Sequence, residues 1–358
     1  MSRVDRLAAL GAGRELDALL VTEPFNLRYL TGFTGTNGLA VLGAGEDGVR
    51  RFVTDFRYVE RAALEVEAFD RLEGERDLLD GLRTALPERR PLRLGFDDAH
   101  MSVHAHRRLG EELDDVELVA AGGLVEELRA VKEPAELERI VAAAALADEA
   151  LSAVLEGGLA GRRESEVALA LEDEMRHRGA QGPSFPSIVA AGPHGALPHA
   201  EPRDAVIPSD VLVIVDWGAH LDGYCSDCTR TLASGRPDAE ATGVYELVLR
   251  AQGAGLEAVR PGVSGRDADH AARELIEAAG HGERFGHGLG HGVGLEVHEA
   301  PRLSKAAEDA LQAGNVVTVE PGVYLPGRFG VRIEDLVVVA DDGVRILSSH
   351  PKELLTVG

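Results

Sequence analysis

The chain has 358 residues, 44% of them hydrophobic and 27% charged, with a formal net charge of −24. That length exceeds one ordinary core, so two domains are expected, and the acidity repels phosphate backbones and argues against nucleic acid as a partner. No stretch approaches the roughly 18 unbroken apolar residues that cross a bilayer, and two cysteines are too few for a secreted disulfide scaffold.

The first residues, MSRVDRLAALGAGRELDALLV, are interrupted by Asp5, Arg6, Arg14, Glu15 and Asp17. They lack the apolar stretch of a signal peptide, so a cytoplasmic location is expected. Val4, Leu7 and Leu10 have helical spacing over residues 3–18, and Ala18–Thr22 reads as a strand. The segment NLRYLTGF (Asn26–Phe33) ends in turn chemistry at Gly32 and Gly35. Strands are expected at Leu39–Leu42, Arg51–Thr54 and Leu92–Phe96, with helices at Asp55–Val66 and His100–Glu112. This alternation predicts a small α/β domain over residues 1–122, with Gly122-Gly123 opening the boundary to a second domain over 123–358.

Glu133-Pro134 opens an amphipathic helix to about Glu156, with Glu136 and Glu138 in the first turns, where the helix dipole favours acids. Further helices are expected at Ser165–Arg178, Glu240–Val259 and Gly265–Ala279. Strands are expected at Ser187–Ala190, Val211–Trp217, Tyr224–Leu232, Val316–Glu320 and Val331–Val339, which makes this domain α+β.

Two of these stretches repeat one design. VLVIVDWGAHLDGYCSDCTRTL and NVVTVEPGVYLPGRFGVRIEDLVVV each hold an apolar strand ending in an acid (Asp216, Glu320). A glycine follows two residues later (Gly218, Gly322), then a turn, then a return strand with a second acid (Asp227, Glu334). Side chains alternate along a strand, so Asp216 continues the face of Leu212 and Ile214, and Glu320 that of Val316 and Thr318. Two facing hairpins would converge four carboxylates. A buried carboxylate is costly unless paired, and four together repel. Two divalent cations would balance them and activate a water. His291, in GHGLGHGVGLEVHE, adds a nitrogen ligand, and the glycines there are expected to let backbone approach the metals closely. Oxygen-rich ligands with one imidazole suit Mn²⁺, Co²⁺ or Fe²⁺ better than a structural zinc site.

The order Asp216-x10-Asp227, His291 in GHGVG, Glu320 in VEPG and Glu334 in RIED resembles the pita-bread metallopeptidases, the group of methionine aminopeptidase, aminopeptidase P and prolidase. All five metal-ligand positions of that group are filled. NLRYLTGF and TDFRY resemble the creatinase-type N-terminal domain of its Xaa-Pro branch. The resemblance implies a creatinase-like α/β domain followed by a pita-bread catalytic domain. It also implies two divalent ions per subunit (Mn or Co first, Fe or Zn as alternatives), a homodimer and short proline-containing peptides as substrates. Dipeptidase (prolidase) activity is the leading expectation. Aminopeptidase P acting on longer Xaa-Pro peptides is the alternative, and a non-catalytic binding protein on the same fold a distant third.

By resemblance, Glu320 is the general base, and His298 and His199 contact the substrate, with His298 stabilising the charge that develops on it. Arg332 shares a strand face with Glu334, so it either orients carboxylates or grips a substrate carboxylate. His287, four residues before His291, is expected to line the pocket. Cys225 and Cys228 form a CxxC, but on one strand they point to opposite faces, which disfavours a shared metal; Cys225 is expected on the face of Asp227.

Overall fold

The Ser2 hydroxyl accepts from the Asp5 amide and the Asp5 carboxylate from the Ser2 amide, a capping box that starts α1 (Arg3–Gly13). The helix ends short of the expected residue 18. Glu15 adopts a left-handed φ of 57°, and the Leu16 amide returns to the Gly11 carbonyl, which turns the chain into β1 (Ala18–Val21). The NLRYLTGF segment lies in a second helix, α2 (Pro24–Thr31). Glu23 caps it, Pro24 occupies its first turn, and Gly32 ends it at φ 81°. This is a computed structural model, and it describes residues 1–45, 48–88 and 91–358.

The chain divides into two units, Met1–Arg129 and Ala130–Gly358. In the first, β1 sits inside a six-stranded sheet with β2 (Gly38–Gly43), β3 (Arg50–Asp55), β4 (Asp70–Gly74), β5 (Leu92–Phe96) and β6 (Val116–Ala120), in the order β4-β3-β2-β1-β5-β6. The β3–β4, β1–β5 and β5–β6 pairs are parallel and the other two antiparallel. Edge strand β4 is largely exposed, which explains why its sequence, DRLEG, carries no apolar run, while the other edge strand, β6 (VELVA), is half-buried to exposed. Helices α3 (Val59–Glu65), α4 (Val103–Glu112) and α5 (Leu124–Ala130) complete this unit. α3 begins later than the expected Asp55, because that carboxylate ends β3 and accepts from Nε and Nη2 of Arg57 at 2.8 and 2.7 Å.

The second unit is built twice from one plan. α6 (Pro134–Leu155) and α7 (Glu164–His177) cover β8 (Ile188–Ala191), β9 (Leu212–Trp217) and β12 (Cys228–Ala233), while the short strands β7 (Gly182–Pro183), β10 (Ala219–Leu221) and β11 (Tyr224–Cys225) pair beside them. α8 (Ala239–Ala258) and α9 (Gly265–Ala278) cover a five-stranded sheet of β13 (Gly290–Gly292), β14 (Glu299–Leu303), β15 (Val316–Val319), β18 (Asp335–Ala340) and β19 (Gly343–Ile346), with a hairpin of β16 (Gly322–Leu325) and β17 (Phe329–Arg332).

Alternation decides which face carries what. Val213, Val215 and Trp217 pack into a core with Ala147, Leu151, Val167 and Leu171, and Trp217 Nε1 donates to the Ala147 carbonyl of α6 at 2.9 Å. Val317, Val319, Val337 and Val339 pack in the same way with Val248, Ala272 and Ile276. The opposite faces of β9 and β15 therefore carry Asp216 and, just past the strand end, Glu320.

Both return strands differ from expectation in one respect. Tyr224–Leu232 and Val331–Val339 are not continuous: the first breaks at Ser226-Asp227, between β11 and β12, and the second at Ile333-Glu334, between β17 and β18. In each case the second acid of the repeat immediately precedes the final strand, so the internal repeat extends to the breaks themselves. Among the described residues, no helix is long and apolar enough to cross a membrane.

Candidate active site and metal centre

In the register of β9 and β12, Asp216 lies opposite Thr229. Thr229 is the hinge of the site. Its hydroxyl donates to Glu334 Oε2 at 2.7 Å and accepts from Arg332 Nε at 3.0 Å, and its carbonyl accepts from the Glu334 amide. Arg332 Nη2 in turn reaches Asp216 Oδ2 at 2.6 Å. The two hairpins are thus tied through reciprocal polar contacts, acid of one to donor of the other.

His291 enters from β13. Gly290 permits this, since a Cβ there would lie 2.0 Å from the Thr318 carbonyl oxygen; glycine lets β13 press against β15 so that the His291 amide meets Thr318 Oγ1 at 3.1 Å. The glycines of this segment thus serve strand-to-strand approach. His291 Nδ1 faces the Gly292 carbonyl at 3.1 Å, the arrangement in which Nδ1 donates and Nε2 is directed into the site. Nε2 lies 3.2 Å from Glu320 Oε1 and 3.6 Å from Asp227 Oδ2. One donor atom each from Asp227, His291 and Glu334 falls within a 4.8 Å cluster able to hold a cation. All five expected ligands therefore meet in one place, on the wall of a cavity of about 610 Å³.

The electrostatics match a site built for cations. Fully burying a valine stabilises by about 1.5–3 kcal/mol, whereas burying one ion costs several kcal/mol. Four such charges together cost more than the valines behind Asp216 and Glu320 can offset. Burial first, then Glu334, Asp216 and Glu320, push the Asp227 carboxyl well above the usual carboxylate range, with Arg332 opposing. Burial and the charges of Glu320 and Asp216 do the same to Glu334, against the hydrogen bond from Thr229. For Glu320, burial is outweighed by the hydrogen bond and charge of His291, which lower its carboxyl to about 2. Asp216 Oδ1 and Glu334 Oε1 are buried and make no hydrogen bond. Orphaned carboxylate oxygens beside acids that repel one another fit divalent cations, so the donor set suits the metal pair that the sequence suggested.

The expected substrate residues also line the cavity: His199, His287, His298 and Arg332. Arg332 is buried and spends its donors on Asp216, Thr229, Tyr324 Oη (2.8 Å) and the Pro198 carbonyl (3.1 Å), the last of which fixes the residue before His199. Its contacts are those of a residue that orients the site. The His199 loop is pinned from behind by buried Glu164, which accepts from His194 Nδ1 at 2.9 Å, from the Ala191 amide and from Arg203. His298 stacks beside His291 with ring centroids 4.3 Å apart. Burial, followed by the neighbouring His291 and Arg302, lowers it to about 4, so it is a neutral imidazole at pH 7.

Two residues escape a reading of the sequence. The Tyr324 hydroxyl accepts from Arg332 and lies 3.0 Å from His287 Nε2, while His287 Nδ1 faces the Gly288 carbonyl at 2.8 Å. A relay from Asp216 to His287 results. Its one sequence signal is the position of Tyr324 on the same hairpin as Arg332. The other is Arg302, opposite His291 in the β13–β14 register, exposed on the cavity wall. Its guanidinium makes no hydrogen bond or ion pair with any described residue. Cys225 is a correction. It does not line the cavity, and its thiol faces the Leu295 carbonyl at 3.7 Å. Both cysteines are buried, and neither is in a disulfide.

Two sheets backed by helix pairs, with the acids of a repeated hairpin converging between them, define the pita-bread architecture. Residues 138–341 match the metallopeptidase family M24, and residues 3–131 match the creatinase/prolidase N-terminal domain. The chain belongs to metallopeptidase family M24 and is a peptidase. It is 40% identical to the uncharacterized peptidase YqhT of Bacillus subtilis and 34% identical to an Xaa-Pro dipeptidase of Pyrococcus furiosus, covering 99% of each chain. Among solved structures, it matches an Xaa-Pro dipeptidase from Bacillus anthracis (TM-score 0.93, 37% identity, 99% of both chains). It matches an X-Pro aminopeptidase from Thermotoga maritima as well (TM-score 0.91, 35% identity, 100% of both chains).

Proposed function

We propose that this peptidase cleaves Xaa-Pro bonds, with dipeptides as its preferred substrates. Asp216, Asp227, His291, Glu320 and Glu334 would hold two divalent cations, Mn²⁺ or Co²⁺ being best suited to an oxygen-rich set with one imidazole. Bound there, such cations polarise the scissile carbonyl and raise the acidity of a water. The protein's own groups do the rest. Glu320 is the base: it keeps its charge at neutral pH, and Oε2 makes no hydrogen bond to a described residue, which leaves it free to take a proton and return it to the proline nitrogen. His298, neutral at pH 7, donates to the carbonyl oxygen as charge builds on it, and His199 contacts the substrate from the facing loop. Arg332, held by Tyr324 and Thr229, keeps Asp216 Oδ2 engaged and leaves its Oδ1 without a partner, where it would be available to a cation.

The preference for dipeptides rests on Arg302. A dipeptide presents a free carboxylate about one residue beyond the scissile bond, and an unpaired guanidinium on the same wall as His298 can receive it with two parallel hydrogen bonds. A longer peptide has no carboxylate there. Hydrogen bonds to a charged group contribute about 1.5–3 kcal/mol, so Arg302→Ala should raise KM for Ala-Pro roughly ten- to hundredfold while barely changing kinetics on a longer Xaa-Pro peptide. Steady-state kinetics on both substrates test this. Equal losses on both, or wild-type activity confined to the longer peptide, would replace the dipeptidase reading with that of an aminopeptidase.

A further inference from the structure

A second group of acids and imidazole lies in the first unit, apart from the peptidase chemistry. Asp97 follows β5, His100 stands in the turn after it, and Glu126 lies on α5. One donor atom from each falls within 4.8 Å of the others. Asn26 of α2 joins the two acids: its Nδ2 donates to Asp97 Oδ2 at 3.1 Å and to Glu126 Oε1 at 2.6 Å. Asn26 is fully buried, and its orientation is set from behind by Arg129 Nη1, which donates to Asn26 Oδ1 at 2.8 Å. The amide therefore holds two carboxylates together while leaving each an oxygen to spare.

One of those oxygens is costly to leave alone. Asp97 is only 8% exposed, and its Oδ1 is buried with no hydrogen-bond partner. A buried acceptor left without a donor forfeits its hydration, and the more so when it is charged. His100, 39% exposed, brings Nε2 to 3.5 Å from Glu126 Oε1 and so closes the group from the solvent side.

We propose that Asp97, His100 and Glu126 bind one divalent transition-metal cation, a third site in a chain whose second unit holds the peptidase centre. Two carboxylates neutralise a dication, and a single imidazole selects a first-row transition metal over calcium or magnesium. Water completes the coordination on the exposed side. The ion joins three segments distant in sequence, the β5 turn, α5 and, through Asn26, α2, and it acts as a clip on the first unit rather than as a reagent.

Equilibrium dialysis of the full chain against Co²⁺, with metal counted per chain, tests the site by difference. His100→Ala and Glu126→Gln should each bind one equivalent less than wild type, and His100→Cys should retain that equivalent. The difference is independent of how many ions the peptidase centre takes up, so failure of that centre and failure of this site are distinguishable. His100 is exposed, so its replacement leaves the core intact, and coincident unfolding curves for wild type and His100→Ala in chelator verify this. Wild-type stoichiometry in both His100→Ala and Glu126→Gln would overturn the proposal.

Discussion

The two faces of β12 make an instructive pair. Arg230 points to one side, where its Nη2 reaches Asp335 Oδ1 at 2.9 Å, while Gln252 and Lys352 donate to Asp335 Oδ2 at 2.9 and 2.6 Å. Both oxygens of that buried acid are satisfied from within the chain. Thr229 and Thr231 point to the other side, Thr231 to the Arg332 backbone and Thr229 to Glu334, where Asp216 Oδ1 and Glu334 Oε1 have no partner. Glu334 and Asp335 are neighbours in sequence, yet one is completed by the protein and the other is not. The fold is able to neutralise a buried acid at this very position. The acids it leaves open mark where something from outside the chain is to bind.

The strongest way to break this contrast is to remove an open acid. Asp227→Asn or Glu320→Gln should lower kcat/KM on Ala-Pro by at least about a thousandfold, equivalent to about 4 kcal/mol of barrier. Asp227→Asn relieves repulsion, so its unfolding midpoint in chelator should hold or rise, whereas Glu320→Gln gives up the hydrogen bond and charge of His291 and should lower it; retained turnover would refute the assigned roles. Arg230→Met attacks the closed face and should do the reverse. It strands Asp335 without its guanidinium and should cost about 3–5 kcal/mol in urea unfolding. A cost under about 1 kcal/mol would show that Lys352 and Gln252 suffice.

Metal removal sharpens the contrast through pH. Asp227 and Glu334 have folded-state values raised above their unfolded ones. Their contribution to the stability of the metal-free chain is therefore full below the ordinary carboxylate range and is lost as pH rises through the raised values. Cations need both groups ionised, so binding releases protons. The gap in thermal midpoint between Mn²⁺-loaded and chelated protein should be wider at pH 8 than at pH 5, as differential scanning calorimetry will record; a gap that narrows with pH would contradict the assignment. Tyr324→Phe should have the smallest effect, about a tenfold loss in kcat/KM, because it removes one hydroxyl that steadies Arg332 and His287 without touching an acid.

The convergence of the acids was legible in the sequence because a repeat carries more information than any single residue. Asp216 and Glu320 follow apolar alternation, and that alternation survives in the fold, with Val213 and Val317 facing helices and the acids facing inward. The breaks at Ser226-Asp227 and Ile333-Glu334 were not legible. YCSDCTRTL and VRIEDLVVV hold no Pro, and the break comes from tertiary pairing in which the Glu334 amide bonds the Thr229 carbonyl. Arg230 was silent for a similar reason: an arginine in a strand reads as a solvent-facing residue until its partners, more than a hundred positions away, come into view. Tyr324 and Arg302 belong to the site only through strand register. β4 was missed because this edge strand buries too little to show an apolar pattern, whereas β6, VELVA, is apolar but only five residues long.

The central claim is that the open face exists for cations and that peptidase activity depends on them. Turnover of Ala-Pro by the full chain after exhaustive chelation, measured before and after Mn²⁺ is returned, tests it most directly. Activity should be absent in the chelated protein and return as Mn²⁺ is added. Undiminished hydrolysis in the chelated, metal-free protein would contradict it.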